Sequence, residues 1–190
     1  MSKITTTQIS EIAKNNKIEP AALMAFLEVE SGGTGFDRTT GKIIIQFEPS
    51  WFRKKAPYAP TGKWSVNGVD RQLAEWEAFN SAFRINPNAA MESTSLGMPQ
   101  IMGIHYRLLG YKTVGEMWDD FKRGEYQQVL ALVRFIKANA ALYKAIQLKD
   151  WHTVASIYNG ASYQRMSKQW GREPYNVSMA KAYGRYKTIM

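Results

Sequence analysis

The stretch Pro20–Gly33, PAALMAFLEVESGG, decides the fold. Pro20 suits the first turn of a helix, where its missing N–H costs nothing, and Gly32-Gly33 stop that helix. Between them the residues are apolar on nearly every face, not along one stripe. Such a helix must be surrounded by others, so it predicts a mostly α fold built around a buried central helix. Glu30 stands in its last turn. The partial negative charge of a helix C-terminus and burial both disfavour an ionised carboxylate there. A carboxyl that keeps its proton near neutral pH is what a general acid requires. Read alone, the same glutamate also fits a helix end pointing into water. Glu28, two residues back, points off a different face.

Working outward, Thr5 and Gln8 have capping-box spacing ahead of a short first helix. Gly41–Phe47, GKIIIQF, is β-branched and follows a turn signal, so it predicts a strand. Pro49–Gly68 reads as irregular, with a second short strand near Trp64. Helical patterns resume at 71–85, 95–102, 114–122, 125–138, 151–158 (Asp150 as N-cap) and 177–187. No repeat or linker divides the chain. The expectation is one domain over residues 1–190, with a small β-hairpin beside the central helix.

Composition narrows the chemistry. The 190 residues include no cysteine, which excludes disulfides, thiolate metal sites and a cysteine nucleophile. The two histidines, His105 and His152, lack metalloprotease spacing, so no metal and no organic cofactor is expected. Net charge is +9, and from Lys137 onward nine basic residues face only Asp150 and Glu173. That asymmetry suits an anionic partner: nucleic acid, a lipid surface or an acidic polymer. Neither an apolar leader core nor a membrane-length apolar run is visible, so no signal peptide or transmembrane segment is expected.

Two further segments carry polar groups in telling places. In Ser95–Gly103, SLGMPQIMG, Gly97 admits close backbone approach, Pro99 kinks or opens a short helix, and Gln100 offers both donor and acceptor. In Ala155–Gly160, ASIYNG, a helix ends on Tyr158-Asn159 before a glycine turn. Singly, each also fits a core helix or a C-cap.

In this order the three segments resemble the lysozyme-like superfamily, which includes goose-type lysozymes and lytic transglycosylases. The fuller text, from Ile18-Glu-Pro-Ala-Ala-Leu through Val29-Glu-Ser-Gly-Gly-Thr-Gly-Phe, Ile45-Gln-Phe-Glu, Glu92–Gly103, Leu109-Gly-Tyr and Phe135-Ile to Asp150-Trp and Tyr158-Asn-Gly, is similar to the N-acetylmuramidase domain of phage endolysins. The likeness runs from about residue 8 to 185.

The resemblance implies a peptidoglycan glycosidase with Glu30 as its catalytic acid. It implies substrate-binding roles for Gln100, Tyr158 and Asn159. Met98-Pro99 departs from the Leu-Met that transglycosylases carry before this glutamine, which leaves the reach of Gln100 open. Hydrolysis needs a second carboxylate, and Glu48, at the end of the expected strand, is preferred over Asp37 and Asp70. A lytic transglycosylase dispenses with one, because the substrate's own 6-hydroxyl attacks, so both reactions stay open. Among cleft aromatics, Tyr58, Trp64, Tyr106 and Tyr163 lie near loops, with Tyr163 the preferred sugar platform. Trp76 and Trp118 read as core.

Lys181 and Arg185, four apart on the last helix, suit attachment to anionic lipopolysaccharide or membrane, or else a terminal helix docking its tyrosines. A monomer with no nucleic-acid partner is expected. It would be made in the host cytoplasm and released by a holin to peptidoglycan in the periplasm. A third reading, a basic helical nucleic-acid- or membrane-binding protein, explains the charge but leaves the three ordered motifs as coincidence.

Overall fold

The computed structural model describes residues 3–56 and 72–189. Helix α1 (Thr6–Asn15) opens with the expected reciprocal cap. The Thr5 hydroxyl accepts from the Gln8 N–H while the Gln8 side chain accepts from the Thr5 N–H. In α2 (Pro20–Ser31) every residue from Ala21 to Leu27 is at most 4% exposed. Burying each large side chain of this run contributes roughly 1.5–3 kcal/mol, which is what makes α2 the pillar of the fold. Gly32 at φ +64° ends the helix, its N–H returning to the Glu28 carbonyl and that of Gly33 to the Leu27 carbonyl.

Next come β1 (Ile45–Phe47), α3 (Pro49–Lys55), α4 (Gln72–Ile85) and α5 (Pro87–Glu92). The short strands β2 (Thr94–Leu96) and β3 (Ile101–Met102) complete an antiparallel sheet of order β1-β2-β3. In its register Ile45 pairs with Leu96, Phe47 with Thr94, and Ser95 with Met102. The outer edge of β1 is covered by α4. Gln72 both accepts from the Ile45 N–H and donates to the Ile45 carbonyl, and Glu75 accepts from the Phe47 N–H at 2.8 Å. Side chains thereby satisfy backbone groups that an open edge would leave exposed.

The remaining helices are α6 (Val114–Arg123), α7 (Glu125–Ala138), α8 (Ala140–Leu148), α9 (Trp151–Tyr158), α10 (Tyr163–Gln169) and α11 (Tyr175–Ile189). Helix α11 packs along α2, with α1 beside it, so α2 is enclosed from both ends of the sequence. Trp118, as expected, is core at 2% exposure.

Two expectations are overturned. Residues 95–102 form no helix. They form the β2–β3 hairpin, because Gly97 (φ +75°) and Gln100 (φ +51°) take left-handed conformations that a helix cannot hold. And the described part of Pro49–Gly68 is not irregular: Pro49 opens α3, and Arg53, Lys54 and Lys55 occupy its last turn. The strand expected near Trp64, together with Tyr58 and Asp70, lies outside the described residues. Helices α5, α8 and α10 were not anticipated, although Asn86 and Asn139 cap the first two.

Candidate active site

A cleft of about 950 Å³ opens where the C-terminal end of α2 meets the small sheet. Glu30 and Ser31 line it from α2, and Ile44–Glu48 form a second side. Gln72 and Glu75 reach it from α4, Gln100 from the hairpin turn, and Met166, Trp170 and Arg172 from the end of α10.

Glu30 sits over a wall of aromatic rings. Phe26, one turn earlier on the same face, meets Tyr158 edge-on at 4.5 Å and Tyr175 at 6.5 Å between ring centroids. The crowding strips water from the carboxyl and pushes its pKa up to about 7. Among the described residues the Tyr175 hydroxyl is its side-chain hydrogen-bond partner, donating to Oε1 and opposing that rise. Burial, and next the nearby Glu30, push the Tyr175 phenol well above its ordinary value, so it serves as a donor throughout the neutral range. With Oε1 so held, Oε2 is the oxygen left to carry a proton into the cleft.

Glu48 precedes α3 and is half-buried. Burial pushes its pKa up, while a hydrogen bond from Gln46 Nε2 at 3.0 Å counteracts this. Its backbone N–H donates to the Ser93 carbonyl at 2.9 Å, and a Lys55–Glu92 ion pair at 2.5 Å ties α3 to α5. Glu48 therefore rides on an anchored segment. Asp37, the rejected alternative, is a turn residue whose Oδ1 accepts from Thr39 and Thr40.

Gln100 reaches the cleft because the turn beneath it is pinned from several sides. Its N–H bonds the Gly97 carbonyl at 3.2 Å and its Nε2 donates to the same oxygen at 2.8 Å. The buried Gln128 accepts from the Met98 N–H at 2.7 Å. Tyr158 donates its hydroxyl to the Pro99 carbonyl, also at 2.7 Å. A Cβ on Gly35 would fall 2.0 Å from Gln128 Oε1 and one on Gly97 2.8 Å from the same amide, so both loops need glycine where they meet α7. One turn earlier on α7, Glu125 accepts from the Gly35 N–H and, with its other oxygen, from the Ile4 N–H.

Thus Glu30, Glu48 and Gln100 converge on one cleft, and the other three expected residues do not line it. Tyr158 lies beneath it as a strut between α9 and the hairpin turn. Asn159 is exposed at the end of α9. Tyr163 is 2% exposed, its hydroxyl 2.7 Å from His152 Nδ1, because it is the first residue of a helix that packs it inward. Tyr106 packs partly buried against the core. Tyr175, Trp170 and Arg172 were missed. The expected last helix began at Val177, yet Pro174 signals an earlier start that takes in Tyr175. On α11, Lys181 pairs with Glu173, Arg185 with Glu28, and the Tyr183 hydroxyl with Glu19, so this helix docks its polar groups on the fold. Among the described residues no three His, Asp or Glu side chains gather as a metal site would need, and no helix is long and apolar enough to cross a membrane.

Residues 19–187 match the family model described as N-acetylmuramidase. No curated protein matches. Among solved structures, the Burkholderia AP3 phage endolysin superposes with a TM-score of 0.82 at 31% identity, covering 98% of this chain and 72% of that one. With a match across most of its length and the same fold in a phage endolysin, this chain belongs to the N-acetylmuramidase family.

Proposed function

We propose that this protein is a phage endolysin that hydrolyses the β-1,4 bond between N-acetylmuramic acid and N-acetylglucosamine in peptidoglycan. One observation carries the proposal: a carboxyl at the floor of a cleft, raised to about 7, with a single phenol holding one oxygen. Glu30 then protonates the glycosidic oxygen as the bond breaks, and an oxocarbenium-like sugar develops above it. Glu48, lining the same cleft, supplies the second carboxyl that activates water or meets the sugar cation. Gln100 offers an amide to the substrate's acetamido groups. Tyr158 acts indirectly, by fixing the turn that presents Gln100.

In this reading the protein acts on the glycan as a monomer, made in the host cytoplasm and delivered to the periplasm by a holin. Lys181 and Arg185 form exposed ion pairs with Glu173 and Glu28, and the basic C-terminal third suits the acidic peptides of the glycan or an anionic lipopolysaccharide surface. Mass spectrometry of fragments from purified peptidoglycan tests the proposal, beside Glu30→Gln. Reducing N-acetylmuramic acid ends, absent with the variant, support it. Anhydro ends would make the protein a lytic transglycosylase and leave Glu48 structural. Salt-dependent nucleic-acid binding without any fragments would favour the binding-protein reading.

A further inference from the structure

The end of α10 brings an aromatic ring and a cation to the cleft side by side. Trp170 is 56% exposed, the Arg172 guanidinium stands 5.6 Å from its ring centroid, and both line the cleft. Their backbone is fixed. Gly171, at φ +61°, closes α10 in a Schellman motif, with its N–H on the Lys168 carbonyl at 3.3 Å and the Arg172 N–H on that of Ser167 at 2.9 Å. Just beyond, Glu173 is held by Ser178 and Lys181 on α11. The two side chains therefore project from a pinned corner, not from a loose loop.

The charge at this corner is unusual for its surroundings. Among the described cleft-lining residues Arg172 is the one cation, facing a site that otherwise carries Glu30, Glu48 and Glu75. No ion pair engages Arg172 among the described residues. With the guanidinium against one face of the indole, the rest of that exposed ring is open to the apolar C–H face of a sugar. A guanidinium is suited to gripping a carboxylate through two parallel hydrogen bonds.

We propose that Trp170 and Arg172 form a subsite for a carboxylate-bearing sugar of the glycan strand, Trp170 stacking on the ring and Arg172 pairing with the carboxylate. This rests on the glycosidase reading for its ligand. In peptidoglycan the carboxylate has two sources: the lactyl group of N-acetylmuramic acid where the peptide is absent, and the stem peptide where it is present. An uncharged N-acetylglucosamine oligomer has neither. The corner would thus select acidic wall glycan over chitin-like chains, and place the acidic substituent away from the carboxyls that do the chemistry.

Calorimetric titration of the full chain carrying Glu30→Gln tests this with three soluble probes. They are a peptide-bearing muramyl tetrasaccharide, the same glycan stripped by an amidase to free lactyl carboxylates, and chitotetraose. At least one carboxylated probe is expected to bind about tenfold more tightly than chitotetraose, the size of one charge-assisted contact. That advantage should vanish with Arg172→Gln, return in part with Arg172→Lys, and shrink in high salt. Trp170→Ala should weaken all three alike. Whether the stripped or only the peptide-bearing probe keeps the advantage identifies the carboxylate. Equal binding of all probes, an advantage that survives Arg172→Gln, or binding of none overturns the subsite. Fragment release by the wild type is scored separately. Arg172-dependent binding without release keeps the subsite and removes the glycosidase, and release without Arg172-dependent preference does the reverse.

Discussion

Glu30 and Glu125 are both carboxyls set deep in this fold, yet their surroundings differ in the one respect that matters for chemistry. Glu125, 3% exposed, has each oxygen occupied by a backbone N–H, from Gly35 and from Ile4. Both oxygens are committed to backbone donors within the fold, and neither is presented to a substrate. Glu30 lies on a wall of rings with one phenol on one oxygen, and it lines the cleft. Burial alone does not make an acid; the number and placement of donors decides whether a buried carboxyl is a strut or a tool. The two are connected, because Glu125 and Gln128 on α7 hold the loops that follow Glu30 and precede Gln100.

Replacing each carboxyl should separate the roles. Glu30→Gln should abolish fragment release, by on the order of 10²–10⁴-fold or more as expected for a lost general acid. It should also stabilise the protein, in a pH-dependent way. A carboxyl whose pKa rises on folding, here from 4.5 to about 7, weighs against the fold only as it ionises. The penalty is absent below about 4.5, grows through that interval and is complete above about 7, where it corresponds to ~3 kcal/mol. Denaturant melts of both proteins across pH 4 to 8.5 should therefore coincide at the acid end and separate toward the alkaline end. Parallel curves would mean that Glu30 is not desolvated.

Glu125→Gln should do the opposite. The glutamine keeps one acceptor and turns an N–H donor toward a backbone N–H, so a buried donor is left unpaired at a cost of about 1–3 kcal/mol. Activity should fall only as far as the folded fraction does at assay temperature, with the pH profile of the survivors unmoved. A changed profile would show that the clamp tunes the acid and does not merely hold its loop.

How much of this contrast the sequence announces depends on range. Helix α2 was legible because its apolar residues surround the axis, and Glu30 because it stands at a helix end beside Gly32-Gly33. Helices α7 and α9 came out at Glu125–Ala138 and Trp151–Tyr158, the first from its apolar period and the second from period and the Asp150 cap together. The hairpin at 94–102 was not legible: its apolar residues fit a helical period, and only Gly97 and Pro99 argued locally against one. What settles it is distant, an amide on α7 and a phenol on α9. Tyr175 is 145 positions from Glu30, and no local pattern says which tyrosine the packing of α11 on α2 will deliver to it. Tyr163 erred the other way, since its closeness to the Tyr-Asn-Gly turn says nothing of which way α10 faces. A platform was expected there; the exposed ring at this helix is Trp170, at its far end.

The finest test bears on the single donor that distinguishes Glu30 from an unaccompanied acid. Tyr175 favours the ionised form of Glu30 by donating to it, against the larger opposing effect of desolvation. Tyr175→Phe keeps the ring on Phe26 and removes only the hydroxyl. The alkaline limb of the activity profile should then move upward from about 7, since the carboxyl holds its proton longer. At the same time the turnover number should fall about tenfold, because neither oxygen is any longer fixed toward the cleft. KM should stay near that of the wild type, as Tyr175 does not line the cleft. A merely structural tyrosine would lower the folded fraction and leave the limb where it was. A limb moving downward would mean that the phenol stabilises the neutral acid, with the proton shared between Oε1 and the phenol oxygen.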